Sequence, residues 1–294
     1  SGAQTHATST FTGLTFYVPA GMTKKLDAYV NLSTIQNDGD SGKSVSVLLD
    51  ANEGFHATDS AGTATTTLST GTVDLNSAST GKGTLVVRKS VPTISAVALD
   101  NSTLSNGTNK VLGRVKITAD AAGDISWSEL VFTVTMTSPA SALTIGATTT
   151  LALFPVGGST AIGGTFATTS ATTAYASATN PWGAATTGGT LAFMPTSEQS
   201  ISAGGSATYE LRGTVGGVSA AGGYSLDVSV ATAATTATTG TATSVDGNGA
   251  STPSITWSDK SIVSAVHSTA TADWTNDYLI KTLPLTVGLL TASV

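Results

Sequence analysis

Tyr209-Glu-Leu-Arg-Gly-Thr-Val215 and, beyond a Gly-rich turn, Tyr224-Ser-Leu-Asp-Val-Ser-Val230 carry an apolar side chain at nearly every second position. A period of two is the signature of a strand with one face buried, because successive Cβ atoms point to opposite sides of a sheet. Tyr209, Leu211 and Val215 therefore point inward against Glu210, Arg212 and Thr214, and Leu226, Val228 and Val230 inward against Ser225, Asp227 and Ser229. Outward from there the pattern recurs. Lys43–Leu49 places Val45, Val47 and Leu49 on one face, Leu130–Met136 alternates in the same way, and Lys110–Thr118 predicts Val111, Val115 and Ile117 inward with Lys110, Arg114 and Lys116 outward. Helical spacing is nearly absent, and Thr and Val, stiff at χ1, favour the pleated sheet. Turn signals at Asn37-Asp-Gly-Asp40, Asn106-Gly107, Gly157-Gly158, Gly188-Gly189, Gly204-Gly205 and Asp246-Gly-Asn-Gly249 punctuate the strands.

The reading is an all-β chain of two tandem immunoglobulin-like β-sandwich domains. A strand gives way to a proline at Arg88-Lys-Ser-Val-Pro92, which predicts an N-terminal domain over 1–89, a C-terminal domain over 90–284 and a C-terminal strand over 285–294. Val18-Pro-Ala-Gly21 and the strands after it are echoed by Ile201-Ser-Ala-Gly204 and its strands. The second copy follows several strands and the first follows almost none, so the N-terminal domain is expected to lack strands and to be completed by one from a neighbouring subunit. Thr165–Gly189 and Ala231–Thr243 are low in complexity and read as long surface loops or ragged edges.

Composition bounds the chemistry. The 294 residues suffice for a sizeable core, and charged residues are only 10% against the roughly 25% usual in soluble domains. The water-facing surface is therefore built from hydroxyls. With 40% apolar residues and a net charge of −6 the chain is expected to fold, and with 12 Lys and Arg it is not a phosphate-tracking nucleic-acid binder. The absence of cysteine excludes disulfides, thiol nucleophiles and thiolate metal sites. Ser1-Gly-Ala-Gln-Thr-His6 has no basic stretch before an apolar run, so any signal peptide is expected to have been removed or to lie outside this chain. Leu283–Val294, broken by Pro284, Thr286 and Gly288, is shorter than the roughly 20 residues of a spanning helix and reads as a strand.

Lys89-Ser-Val-Pro-Thr-Ile-Ser95, Ser105-Asn-Gly-Thr108, Ile117-Thr-Ala-Asp-Ala-Ala-Gly-Asp-Ile-Ser-Trp127 and the string Trp257-Ser-Asp-Lys-Ser261, His267-Ser268, Asp273-Trp-Thr-Asn-Asp-Tyr-Leu-Ile-Lys281 and Leu283-Pro284 together resemble repeats in large secreted surface proteins of uncultured ultrasmall bacteria. The resemblance spans roughly residues 89–284. It implies an exported, cell-surface β-sandwich protein of the S-layer or filament kind, and it carries no residue roles.

Several residues carry chemistry that competes with a packing role. Ser258, Asp259 and His267 have the chain order of a nucleophilic triad, yet no Gly-x-Ser-x-Gly elbow surrounds Ser258, and neighbours on a strand point apart, so a packing or capping role is expected. Asp38, Asp40 and Asp246 sit on oxygen-rich turns and are calcium candidates without EF-hand spacing; Asx-turns account for the same residues without metal. His6, His56 and His267 are too far apart in sequence for a zinc pair. Tyr175 and Trp182, in a long loop, are candidates for stacking on sugars, though core or hairpin packing is the commoner fate of such rings. Asn31, Asn101 and Asn106 head glycosylation sequons.

These features converge on a non-catalytic structural subunit of an extracellular polymer, joined head to tail by β-strand complementation. The interface residues expected are Leu14, Phe16 and Val18 at one end and Leu285, Val287 and Leu289 at the other, with the chain itself as partner and neither nucleic acid nor membrane span involved. The alternative is a glycan-binding cell-surface adhesin or carbohydrate-binding module, resting on Tyr175 and Trp182.

Overall fold

A computed structural model of the chain describes residues 9, 11–13, 15–24, 27, 29, 31, 35, 41–45, 48–50, 57–65, 72–74, 85–138, 143–168, 188–219, 222–246, 253–262 and 266–292. The chain forms two compact units, Ser1–Ser33 with Ser44–Leu85, and Thr34–Lys43 with Val86–Val294. Residues 285–294, expected to stand apart as a donor strand, thus belong to the second unit.

Along the first stretch of chain lie β1 (Ser44–Val45), β2 (Leu48–Asp50), β3 (Ala57–Thr58), β4 (Ala64–Thr65), β5 (Thr72–Asp74) and β6 (Leu85–Val86). In the first unit β2 pairs with β5 and β3 with β4, both antiparallel. The β3–β4 turn is held by Asp59, whose Oδ1 accepts the N–H groups of Ala61 and Thr63. Ahead of these ribbons, Phe11, Phe16, Tyr17, Val18, Met22 and Tyr29 are all exposed.

The second unit carries β7 (Thr93–Ala96), β8 (Gly107–Thr118), β9 (Ile125–Thr137), β10 (Ala152–Pro155), β11 (Gly164–Thr168), β12 (Gly188–Pro195), β13 (Gln199–Ile201), β14 (Ser206–Val215), β15 (Ser225–Val230), β16 (Thr239–Gly240), α1 (Ala242–Val245), β17 (Ile255–Ser258), β18 (Trp274–Thr275) and β19 (Leu285–Thr291). One sheet has the order β10-β14-β8-β7; the other, of nine strands, is organised around β9, and the ladders within both are antiparallel. β9 is long enough to pair with β12 and β13 in succession along one edge and with β15 and β17 along the other. β19 then pairs with β15 and flanks the end of the sheet.

The two sheets face each other across a single apolar cluster that includes Leu112, Ile117 and Leu211 from one and Trp127, Phe132, Leu226 and Trp257 from the other. Trp127 and Tyr209 meet edge to face at 5.2 Å, and the indole N–H donates to the phenol oxygen at 3.2 Å, which satisfies both polar tips inside the core. The all-β, antiparallel, sandwich-like architecture expected from the alternation is the one present.

Bulges in β8, β19 and β9 reset the alternation. Gly113 lies opposite Leu211 but Val111 lies opposite Arg212, which leaves Leu112 as the extra residue of β8. Leu112 is consequently fully buried where Val111 was expected inward, and Val111 is half-buried. In β19, Gly288 faces Val228 and Thr286 faces Ser229, leaving Val287 extra. Val287 and Leu290 turn inward while Leu289, expected on the same face as Val287, is 53% exposed. The two strands meet where side chains are missing: a Cβ on Gly288 would lie 2.0 Å from the Leu112 carbonyl oxygen, and one on Gly113 would lie 3.1 Å from Val287. In β9 a bulge at Ser128 turns Trp127 inward and Glu129 outward.

Candidate functional site

The outward face of β9 and β17 is where polar chemistry collects. Ser126, Glu129, Thr256 and Ser258 point away from the main core yet are all buried. Helix α1 and residues 259–262 and 266–273 cover them, with Ala242, Val245 and Trp274 forming a small second core. Burying polar groups is unfavourable unless each finds a partner, and here Ser126 bonds Ser200, the Thr256 hydroxyl donates to Glu129, and Ser258 meets His267, a member of the Trp257–Asp277 string.

Many polar groups of that string are bonded. The Trp257 indole donates to the Asn276 carbonyl at 2.9 Å, and the Trp274 indole to the Ser268 carbonyl at 2.9 Å. Asn276 donates to the Thr236 carbonyl and accepts the Thr238 N–H. The Asp277 carboxylate accepts the N–H groups of Ala234 and Ser254, at 2.9 and 2.6 Å. Asp259, fully buried, accepts the Lys89 N–H at 2.9 Å and the Ser41 hydroxyl through the same Oδ2. Its Oδ1 and the Nε and Nη2 of nearby Arg88 are buried without a hydrogen-bond partner. Burial lowers Arg88 from its ordinary value, opposed by the carboxylates of Asp259 and Asp273.

His267 is the centre of the cluster. Its Nδ1 lies 2.7 Å from Glu198 Oε2, in the turn between β12 and β13, and its Nε2 lies 2.9 Å from Ser258 Oγ and 3.3 Å from Asp273 Oδ1. The ring sits 5.4 Å from Trp274. Burial disfavours the charged imidazole, but Asp273 and Glu198 outweigh it and raise His267 above its ordinary value. Burial likewise disfavours the Asp273 carboxylate, but His267, the Thr271 hydroxyl and the Ile262 N–H push it down to about 2.

Ser258, His267 and Glu198 therefore stand in the connectivity of a hydroxyl, an imidazole and an orienting acid, with Glu198 where Asp259 stood in the sequence reading. Asp259 instead turns to Lys89 and Ser41. Carboxylates on both ring nitrogens call for both N–H groups, so the imidazole in this state donates to Ser258 Oγ. That oxygen also accepts the Lys260 N–H at 3.0 Å, and Ser258 has no exposed surface. The serine is an acceptor in a covered cluster.

Glu129, beside Thr256 across the β9–β17 ladder, is the other buried acid of this face. Burial pushes its carboxyl up to about 8, against the Thr256 hydroxyl bond at 3.1 Å and helped by the charge of Asp246. A further charged cluster lies on β8 and β14, where buried Glu210 is held by Arg114 at 2.7 Å and Arg212 at 2.6 Å, and Arg212 lies 4.1 Å over the Phe154 ring.

The remaining sequence candidates fall as follows. Asp246 caps the C-terminus of α1, and among the described residues no group of three or more His, Asp or Glu is placed to hold a metal ion. Leu14, Asp38, Asp40, Tyr175 and Trp182 lie outside the described residues. Phe16 and Val18 are exposed; Leu285 is half-buried and Val287 buried within their own sandwich. Asn31 is exposed, and Asn101 accepts the Thr103 N–H in an exposed Asx-turn. Asn106 bonds both backbone groups of Val218, at 2.8 and 2.9 Å, so its amide nitrogen already serves the fold. Among the described residues, none is part of a helix long and apolar enough to cross a membrane. Comparison with protein families, curated proteins and solved structures finds no match.

Proposed function

We propose that the chain is a structural subunit of an extracellular polymer, a surface filament or S-layer-like lattice, in which immunoglobulin-like sandwiches are joined head to tail by a strand passed from one copy to the next. Catalysis is no part of this reading. The observation that carries it is the row of exposed apolar side chains in the first unit, where Phe11, Tyr17 and Tyr29 are 76%, 72% and 89% exposed and Phe16, Val18 and Met22 accompany them. Soluble proteins rarely leave such a run uncovered. A second copy is the partner the reading assigns, because Thr8–Val18 is uncharged and alternates Leu14, Phe16 and Val18, the form a strand takes when its main chain supplies affinity and its alternate side chains supply register. The low charge, the lack of cysteine and the likeness of the Trp257–Lys281 string to secreted surface repeats support an exported location.

The donor role falls to the N-terminal segment, since β19 is seated in its own sandwich with Val287 and Leu290 buried. A heterologous contact of this kind propagates into a fibre unless its rotation closes a ring. Negative-stain electron microscopy and sedimentation of the full chain, of a variant lacking residues 1–18 and of Phe16→Asp test the reading. Polymers from the full chain and monomers from both variants are expected. A full chain that stays monomeric at every concentration, or polymers that survive the deletion, would overturn it.

A further inference from the structure

β8 is flanked unequally. β14 pairs with it from Gly107 to Thr118, but along its other edge β7 pairs only with Val115–Thr118. Beyond β7 the chain crosses to β19, where the Leu104 N–H bonds the Thr291 carbonyl. The space between holds a cavity of about 240 Å³ whose apolar wall is Leu99, Val111 and Leu290. We propose that this cavity binds a terminal uronic acid residue of a surface polysaccharide, its carboxylate held by Lys110 and Arg114 and its ring lying on the apolar wall.

The polar wall is rich in unspent donors. Arg114 gives Nε to Glu210, its two Nη1 hydrogens to the Ala98 carbonyl and Asp100, and one Nη2 hydrogen to Asp100, which leaves one N–H over. Lys110 spends one of its three hydrogens on Ser105 Oγ at 3.0 Å, and its stem is laid on Gly107, where a Cβ would come within 2.7 Å of Lys110 Cε. Asn101 uses its side-chain oxygen on the Thr103 N–H and keeps its amide hydrogens, while Asn109 makes no side-chain bond among the described residues. A bulge sets Asn109 apart: Gly107 lies opposite Val215 but Lys110 opposite Gly213, so β8 carries one residue more than β14 there, and Asn109 takes a φ of 53°. Bulges re-aim a side chain, and asparagine tolerates the left-handed region.

Charge and size select the ligand. Lys110 and Arg114 against Asp100 leave one positive charge on the wall, and Glu210 and Arg212 behind Arg114 cancel each other. In a chain of net charge −6 this is a local preference for an anion. A carboxylate takes the Lys110 ammonium and the spare Arg114 N–H in charge-assisted bonds. The Asn101 and Asn109 amides suit ring hydroxyls, which both donate and accept. The volume lies below the roughly 300–1,000 Å³ of pockets for drug-sized ligands, so it takes one sugar ring rather than an oligosaccharide. Asp100, Asn101 and Asn109 are exposed and Leu290 is buried, which puts the ring's linkage at the rim, facing solvent. All of these residues belong to the second unit, so the site does not depend on the polymer contact assigned to the first.

The test titrates the full chain and follows amide chemical shifts by NMR, with methyl β-D-glucuronide as the probe and methyl β-D-glucoside and acetate as controls at constant ionic strength. Saturable shifts at 99–103 and 109–114 are expected from the glucuronide. The glucoside, which lacks the charge, and acetate, which lacks the ring, should each bind about tenfold more weakly. Lys110→Gln should weaken the glucuronide about tenfold. Asn109→Gly, which keeps a backbone at ease with positive φ and removes only the amide, should weaken it about threefold. Shifts absent from these residues, acetate or the glucoside binding as well as the glucuronide, or wild-type affinity in both variants would overturn the site. Free glucuronate binding about tenfold tighter than its methyl glycoside would overturn a polysaccharide as the source of the ligand.

Discussion

The two ends of β9 both send alternate side chains inward, apart from the bulge at Ser128, and live in different surroundings. At the Thr133–Thr137 end, Val134 and Met136 enter the core while Thr135 and Thr137 meet water. At the Ile125–Leu130 end the outward residues Ser126 and Glu129 are as buried as Trp127 and Leu130. One end is a two-layer sandwich, and the other carries a third layer of α1 and residues 266–274. The comparison teaches that an apolar face of period two reports what packs beneath a strand and is silent on what lies above it. It also explains the concentration of hydrogen-bonded Asp and Asn in one short string. A third layer laid on a polar face must be held by polar groups with defined partners, whereas the two-layer end is held by apolar burial.

The sharpest way to separate the ends is to empty the third layer. Trp274→Ala removes the centre of the small second core and should cost about 3–5 kcal/mol. Hydrogen exchange should show protection lost at 242–245 while the β8–β14 ladder is kept. Gly288→Ala attacks the two-layer end instead, forcing a methyl group to within 2.0 Å of the Leu112 carbonyl oxygen. Overpacking of backbone against backbone should cost about 3 kcal/mol, measured by denaturant unfolding, with the β15–β19 pairing the first to open.

Smaller effects sharpen the contrast. Glu129 holds its proton to about 8 in the folded protein against an ordinary 4.5, so the folded state binds the extra proton between those values. Its contribution is fully present below pH 4.5 and is lost as pH rises toward and through 8. Glu129→Gln keeps a side chain that can bond Thr256 but does not titrate, and should flatten that part of the stability profile, measured by denaturant unfolding across about pH 4–9. At the open end Thr135→Lys, on an exposed position, should change stability by no more than about 0.5 kcal/mol. A large effect there would mean that something covers this face as well.

Much of the fold was legible in the sequence. Tyr209, Leu211 and Val215 and the Leu226, Val228 and Val230 set are all buried, in antiparallel strands bounded by glycine turns. Glu210 was expected outward and is outward, but two arginines and the Phe154 ring cover it, a burial no alternation encodes. The errors at Val111 and Leu289 share one cause. Both strands bulge where Gly113 and Gly288 let the two sheets touch, and the hint was present in Val111-Leu-Gly113 and Val287-Gly-Leu-Leu290, where adjacent apolar residues and a glycine interrupt the period. The Ser258–His267 contact spans nine residues and could be suspected from the string, but Glu198 lies 69 residues from His267, and nothing local joins them.

The sequence by itself determined that this chain makes antiparallel sheets, because alternation of side chains across a strand is a property of the backbone and needs no partner to be read. Only the tertiary structure decided which residue turns inward after each bulge, which acid holds His267, and that Ser258 is an enclosed acceptor. A bulge is defined by the neighbouring strand, and a buried hydrogen bond by whichever distant group the closed sheet brings within about 3 Å.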